Sequence, residues 1–190
     1  MRTAEGNRCV LRTRLPGPLA TELRALLEGE PVTSDLDAPP RQLDAAIALL
    51  ERHGLDPEPV YFGPAYVLPR AEPPAGPVRV TADNRDALTR HFPGLLEDGE
   101  EPVFVVVEDG DAVSACSPAR LLGAAVEAGV RTAEGFEGRG YATQVVAAWA
   151  AEIYARGLLP LYSTWRANAA SIAVVAKLGA TRYGDDFQLG

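Results

Sequence analysis

The stretch AEGFEGRGYATQVVAAWAAEIYARG, residues 133–157, decides the fold. Its second part reads as a helix from Tyr141 to about Arg156. Val145/Val146, Trp149 and Ile153 recur at helical spacing on one apolar face, and Gly157 suits the C-terminal cap. Its first part is a glycine turn that runs straight into that helix. The first N–H groups of a helix have no intrahelical acceptor and lie at the positive end of the helix dipole. Glycine lets a ligand approach the backbone and accepts positive φ. Gly138, Arg139, Gly140, Tyr141, Ala142 and Thr143 are therefore the candidate cradle for a phosphate or pyrophosphate. A plain helix-starting turn is the other reading of the same pattern. Two better-known cradles do not fit. There is no Gly-Lys-Ser/Thr ending, and no first-strand GxGxxG with an acidic residue about 20 positions on.

Working outward, AAVEAGVRT (124–132) reads as a strand, with Gly129 marking a bulge or a close backbone approach. Before it, PVFVVVE (102–108) and AVSACS are strands joined by Asp109-Gly110, a two-residue hairpin turn. Val78 to Thr81 suits a strand, and Asn84 suits the cap of a short helix ending near His91. After the central helix come the strand LPLYST and a helix opened by Asn168, carrying Ile172, Val175 and Leu178 and closed by Gly179. The tail ATRYGDDFQLG suits a last strand or hairpin. Ahead of all this, Leu19, Leu23, Leu26 and Leu27 stripe one short helix, and Leu43, Ile47 and Leu50 a second. PVYFGPAYVLP reads as extended pieces broken at Gly63-Pro64. The proline-rich AEPPAGP (71–77) marks a boundary between an N-terminal extension, residues 1–76, and a core, residues 77–190.

Residues 127–180, EAGVRTAEGFEGRGYATQVVAAWAAEIYARGLLPLYSTWRANAASIAVVAKLGA, resemble the GNAT superfamily of N-acetyltransferases. They are similar in particular to the bacterial branch with the order GVxT, RGxGxA, PLYST, NxxS, LG. The family's Gln/Arg-x-x-Gly-x-Gly/Ala loop reads Glu137-Gly138-Arg139-Gly140-Tyr141-Ala142 here. Glu137 departs from the usual Gln or Arg, and Arg139 is the charge that can compensate. The resemblance implies an α/β fold: a mixed, mostly antiparallel sheet, splayed between the strands at 124–132 and 159–164 and flanked by helices. It implies acetyl-CoA as co-substrate, with the pyrophosphate on the glycine loop and the pantetheine arm pairing with Val130, Arg131 and Thr132. Asn168 and Ser171 match the NxxS positions, which meet the far end of the CoA arm. A simple N-cap also explains Asn168.

The implied chemistry is acetyl transfer to a primary amine of a small molecule or protein, by direct attack on the thioester. A backbone N–H near Val130–Thr132 can stabilise the oxyanion. Glu127 lies on the strand carrying the thioester and is the candidate base; a salt-bridged glutamate is the competing reading. The family often places a tyrosine acid where this chain has Val175. Tyr162, with Ser163 beside it, is the substitute on the neighbouring strand. Coenzyme-type thiols leave readily near neutral pH, so an acid helps without being obligatory. Trp165, beyond that strand, is a substrate-side candidate, while Trp149 reads as core. A non-catalytic acyl-CoA-binding module and an acyltransferase for longer acyl groups are the alternatives.

Composition sets the outer bounds. The 190 residues are 47% hydrophobic and 23% charged, as in an ordinary globular chain. Eighteen Lys+Arg against 26 Asp+Glu give a net charge of −8. That disfavours nucleic acid as a partner and suits a cationic amine. Two cysteines, Cys9 and Cys116, without CxxC or a His pair, give no expected metal site. The longest apolar run, Val145 to Ala151, is far below the roughly 20 residues of a membrane span. No secretory leader is visible, so the expected setting is the cytoplasm, as monomer or homodimer. Lys177 is the only lysine, a bias that points to a GC-rich bacterial genome.

Overall fold

In the computed structural model, residues 1–58, 60–88, 90–95 and 101–190 are described. They hold nine strands, four α-helices and one 3₁₀ turn. In chain order these are β1 (Arg2–Thr3), β2 (Gly6–Asn7), α1 (Gly17–Glu28), α2 (Leu43–Arg52), β3 (Tyr61–Val67), β4 (Val78–Arg79), the 3₁₀ turn (Arg85–Leu88), β5 (Phe104–Glu108), β6 (Asp111–Leu122), β7 (Ala125–Thr132), α3 (Tyr141–Ala155), β8 (Leu159–Ser163), α4 (Ala169–Leu178) and β9 (Thr181–Gln188). Among the described residues no helix is long and apolar enough to cross a membrane. The chain forms two compact units. One gathers residues 1–65, 164–168 and 182–190; the other gathers 66–163 and 169–181.

The second unit carries the residues singled out by the glycine motif. Its strands lie in the order β4-β5-β6-β7-β8. The pairings are antiparallel except β7 with β8, which is parallel. The predicted hairpin turn is present: Asp109 (φ 50°) and Gly110 (φ 86°) both take the positive φ that a two-residue turn requires. The return strand is longer than the predicted AVSACS. It runs on to Leu122, because a second hairpin at Gly123 lets it pair with β7 along its whole outer half. The bulge anticipated near Gly129 falls on the facing strand, between Pro118 and Arg120. A Cβ at Gly129 would stand 3.3 Å from that of Ala119, which accounts for the glycine. The core of this unit is Trp149, Val145, Val146 and Ile153 of α3 packed with Val113, Cys116, Val126, Tyr162 and Val175. Trp149 is fully buried, as its place on the stripe predicts.

Three local expectations need correction. A short helix does follow Asn84, as the 3₁₀ turn Arg85–Leu88, but the Asn84 side chain turns back toward the preceding strand. Its Oδ1 accepts from the Thr81 N–H at 2.7 Å and its Nδ2 donates to the Arg79 carbonyl at 2.8 Å, closing a loop before the 3₁₀ turn. The strand predicted at 78–81 is shorter, Val78 and Arg79, although the Val80 N–H still donates to the Val103 carbonyl at 2.9 Å. The extended pieces broken at Gly63-Pro64 are instead one strand, β3. Gly63 is what permits it, since a Cβ there would fall 1.8 Å from the Thr164 carbonyl oxygen. Pro64 lacks an N–H but its carbonyl accepts from Thr164 N–H at 3.2 Å, so the strand is not interrupted.

In the first unit α1 and α2 pack through Leu19, Leu23, Ala46, Leu49 and Leu50. Leu19 and Leu23 belong to the predicted α1 stripe, but on α2 the buried face is Ala46, Leu49 and Leu50, and the predicted Leu43 and Ile47 are only partly buried. Its strands lie in the order β2-β1-β9-β3.

Candidate active site

The site is built where the sheet of the second unit opens. β7 and β8 share only three rungs: Ala125 with Leu159, Val126 with Pro160, and Glu127 with Leu161. Beyond Glu127, β7 continues paired on its other side, Val130 with Cys116, Arg131 with Ala115 and Thr132 with Ser114. The edge of Val130–Thr132 that would face β8 therefore has no strand partner among the described residues. An open edge of this kind presents unpaired backbone N–H and C=O groups to an extended ligand.

Glu127 stands on the last rung before the opening. Its side chain is only 9% exposed. Arg120, directly opposite on β6, places Nε 2.5 Å from Oε2. From β8, the Ser163 hydroxyl donates to Oε1. Ser163 lies two residues past Leu161, the rung partner of Glu127, and so on the same face of β8. Three adjacent strands thus converge on one carboxylate, with each oxygen held from a different side. Glu127 and Ser163 are among the candidates read from the sequence; Arg120 is not. The signal was available in the hairpin register: counting back from Gly123-Ala124 puts Arg120 opposite Glu127.

Tyr162, also on β8, is buried, and burial raises its phenol above the ordinary value despite the opposing hydrogen bond to Ser171. It stays protonated at neutral pH. Its hydroxyl donates to Ser171 Oγ on α4 at 3.1 Å. Two predicted site residues are thereby brought together. Val175, where the family's tyrosine would stand, is buried in the core. Asn168 sits just ahead of α4, with its backbone N–H on the Trp165 carbonyl at 3.0 Å. Trp165 is 47% exposed and meets Tyr61 edge-on, ring centroids 5.6 Å apart.

The glycine loop enters α3 with Gly138 at φ 76° and Gly140 at φ 84°. A Cβ at either would meet nothing within 4 Å, so the space over the loop is open. Gly140 is the N-cap residue and no side chain caps the helix, which leaves the first-turn amides of Tyr141, Ala142 and Thr143 for a ligand. The backbone here fits an anionic group. The charged side chains are committed elsewhere. Arg139 donates to Glu108 Oε2 at 3.2 Å and to the Gly135 carbonyl at 3.1 Å, and lies over the Phe136 ring. Glu137 accepts the Gly135 N–H at 2.7 Å, and Tyr141 donates its hydroxyl to Glu108.

Comparison with known proteins bears on the fold. Residues 103–184, a little under half of the chain, match the model of the GNAT acetyltransferase family. That family transfers acyl groups from an acyl-CoA. Among solved structures, a protein described as a GNAT-family acetyltransferase from Novosphingobium aromaticivorans is similar, with TM-score 0.57 and 19% identity over 70% of this chain and 64% of its own. A GCN5-related N-acetyltransferase-like protein from Streptococcus suis gives TM-score 0.58 and 17% identity, over 78% of this chain and 69% of its own. A GNAT-family acetyltransferase from Colwellia psychrerythraea gives 0.52 and 18%, over 78% and 62%. At these identities the likeness is one of fold. The chain spans a little under two thirds of the Novosphingobium and Colwellia proteins. No curated protein matches it.

Proposed function

We propose that this protein is an acetyl-CoA-dependent N-acetyltransferase acting on a primary amine. The observation that carries the reading is the placement of Glu127 on the last rung before β7 and β8 part, next to the open edge of Val130–Thr132. Acetyl-CoA, when bound, supplies an acyl group activated as a thioester. In this reading the edge of Val130, Arg131 and Thr132 holds the pantetheine arm. Gly138, Gly140 and the amides of Tyr141, Ala142 and Thr143 hold the pyrophosphate. Asn168 and Ser171 meet the far end of the arm. Glu127 accepts the proton of the attacking amine, directly or through the Ser163 hydroxyl. An N–H of the open edge faces the oxyanion. Tyr162, protonated at neutral pH, is the acid available to the departing thiolate. The C–N bond forms and the C–S bond breaks; the thiolate takes its proton from Tyr162, and the amine proton held on Glu127 passes through solvent to restore Tyr162, so both side chains return to their starting forms.

A non-catalytic acyl-CoA-binding module is the second reading. It is favoured by the commitment of both Glu127 oxygens to Arg120 and Ser163, and by Val175 in place of the family's tyrosine. A panel of amines screened with acetyl-CoA, reading free thiol, separates the two. Amine-dependent thiol release supports the enzyme. Acetyl-CoA binding without release for any amine supports the module. Substituting longer acyl-CoAs in the same screen sets the donor. The net charge of −8 favours cationic acceptors.

A further inference from the structure

The first unit contains a second cluster of charge, which the acetyl-transfer reading does not use. Asp185 of β9 is completely buried, and three arginines surround it. Arg182 donates to Oδ1 at 2.7 Å, Arg166 donates to Oδ2 at 3.2 Å, and Arg2 Nη2 lies 3.5 Å from Oδ2. Arg166 also lies over the Phe62 ring, 4.5 Å from its centroid, with its backbone N–H on the Phe62 carbonyl. These contacts fix two guanidiniums side by side before any other partner is considered.

What those two guanidiniums hold is distinctive. Nη1 of Arg166 and Nη1 of Arg182 both donate to Asp37 Oδ1, at 2.7 and 2.9 Å. Nη2 of each donates to the Leu36 carbonyl, at 3.0 Å in both cases. Two oxygens are thus each shared between the same two arginines. That is the acceptor pattern a single carboxylate offers to paired guanidiniums. Neither oxygen belongs to the buried frame. Asp37 is 71% exposed and sits in a loop outside any helix or strand.

Charge and donor counts point the same way. The ion pairs join Arg2, Arg166 and Arg182 to Asp185, Glu30 and Asp37, three against three. Without Asp37 the group carries one uncompensated positive charge. The Nε–H groups of Arg2, Arg166 and Arg182 are all buried and have no hydrogen-bond partner among the described residues. Donor capacity therefore exceeds what the resident acceptors fill, which is costly in a dry setting.

We propose that Arg166 and Arg182 form a recognition site for a ligand carboxylate, with Asp37 and the Leu36 carbonyl as the built-in stand-in. Asp37 is a weak stand-in, because an exposed carboxylate gains little from its ion pairs. An incoming carboxylate exchanges for it without changing the net charge of the cluster.

Acetate is the probe, followed by the arginine side-chain NMR signals at constant ionic strength with chloride as the balancing salt. Wild type should show weak saturable binding. Asp37→Ala should bind acetate about tenfold more tightly, because the competing internal ligand is gone. Asp37→Ala combined with Arg182→Lys should lose that gain, because the planar fork is lost. A short peptide with a free C-terminus, set against its amide, tests the same chemistry on a chain end. Equal acetate affinity in wild type and Asp37→Ala overturns the proposal. So does full retention of the gain in the double variant. Should Asp37→Ala not fold, Asp37→Asn carries the same measurement.

Discussion

Arg120 Nε and Glu127 Oε2 stand 2.5 Å apart across β6 and β7, on the last rung before the sheet of the second unit opens. The pair fixes one carboxylate oxygen and leaves the other to the Ser163 hydroxyl. In the proposed reading, a base held this way keeps its orientation when substrate arrives, which is what positioning a proton acceptor requires.

Replacing Glu127 with Gln keeps its shape and removes its ability to accept a proton. Kcat should fall by about 10²-fold, a typical general-base contribution. The dissociation constant for acetyl-CoA should stay within about twofold, since binding rests on other groups. Steady-state rates across pH, with calorimetric acetyl-CoA binding, check this. Wild-type turnover at every pH would place the base elsewhere.

At Gly140, the comparison of Asp with Asn isolates charge. Both tolerate a φ of 84° better than other side chains do. The wild type should gain about 2.7 kcal/mol of stability at 100 times the Kd for acetyl-CoA. Gly140→Asn should keep part of that gain, and Gly140→Asp should lose it. Thermal melts with and without acetyl-CoA provide the measurement. An Asp variant that gains as much as the Asn variant would remove the pyrophosphate from this loop.

Gly63→Ala should destabilise the first unit by at least about 2 kcal/mol, the scale of overpacking. Its Cβ would collide with the Thr164 carbonyl, a backbone atom with no rotamer to yield. Urea unfolding midpoints test the size of the loss.

Asp37 gives a signed pH dependence. Its hydrogen bonds to Arg166 and then to Arg182 lower its pKa below the ordinary value. A carboxylate lowered on folding contributes stability above its unfolded pKa of about 3.9, and loses it as pH falls through the lower folded value. Wild type should therefore lose more stability than Asp37→Asn between neutral pH and pH values below about 4. Urea midpoints for both proteins along that range decide it.

Cys116 is fully buried, and burial raises its thiol well above the ordinary value. Cys9 is partly exposed. An aromatic disulfide reagent at neutral pH should label Cys9 in the native protein and reach Cys116 only on unfolding. Rapid native labelling of both thiols would contradict the packing of Cys116 against β7 and α3.

The sequence alone determined whatever depends on neighbours a few residues apart. Asp109-Gly110 specifies its hairpin because both positions need positive φ, and the α3 stripe specifies a buried helix face because 3.6-residue periodicity aligns Val145, Trp149 and Ile153. Even the Arg120–Glu127 pair was countable from the turn at Gly123. Groups from distant parts of the chain were decided only by tertiary structure. Ser163 reaches Glu127 because β8 lies parallel to β7 for three rungs, a register no local pattern encodes. Gly63-Pro64 looks like a break until the Thr164 carbonyl is beside it. Arg2 meets Asp185 across antiparallel β1 and β9, from opposite ends of the chain. Periodicity and turn chemistry report a residue's own segment; which strand lies alongside is set by where the whole chain can bury its apolar faces.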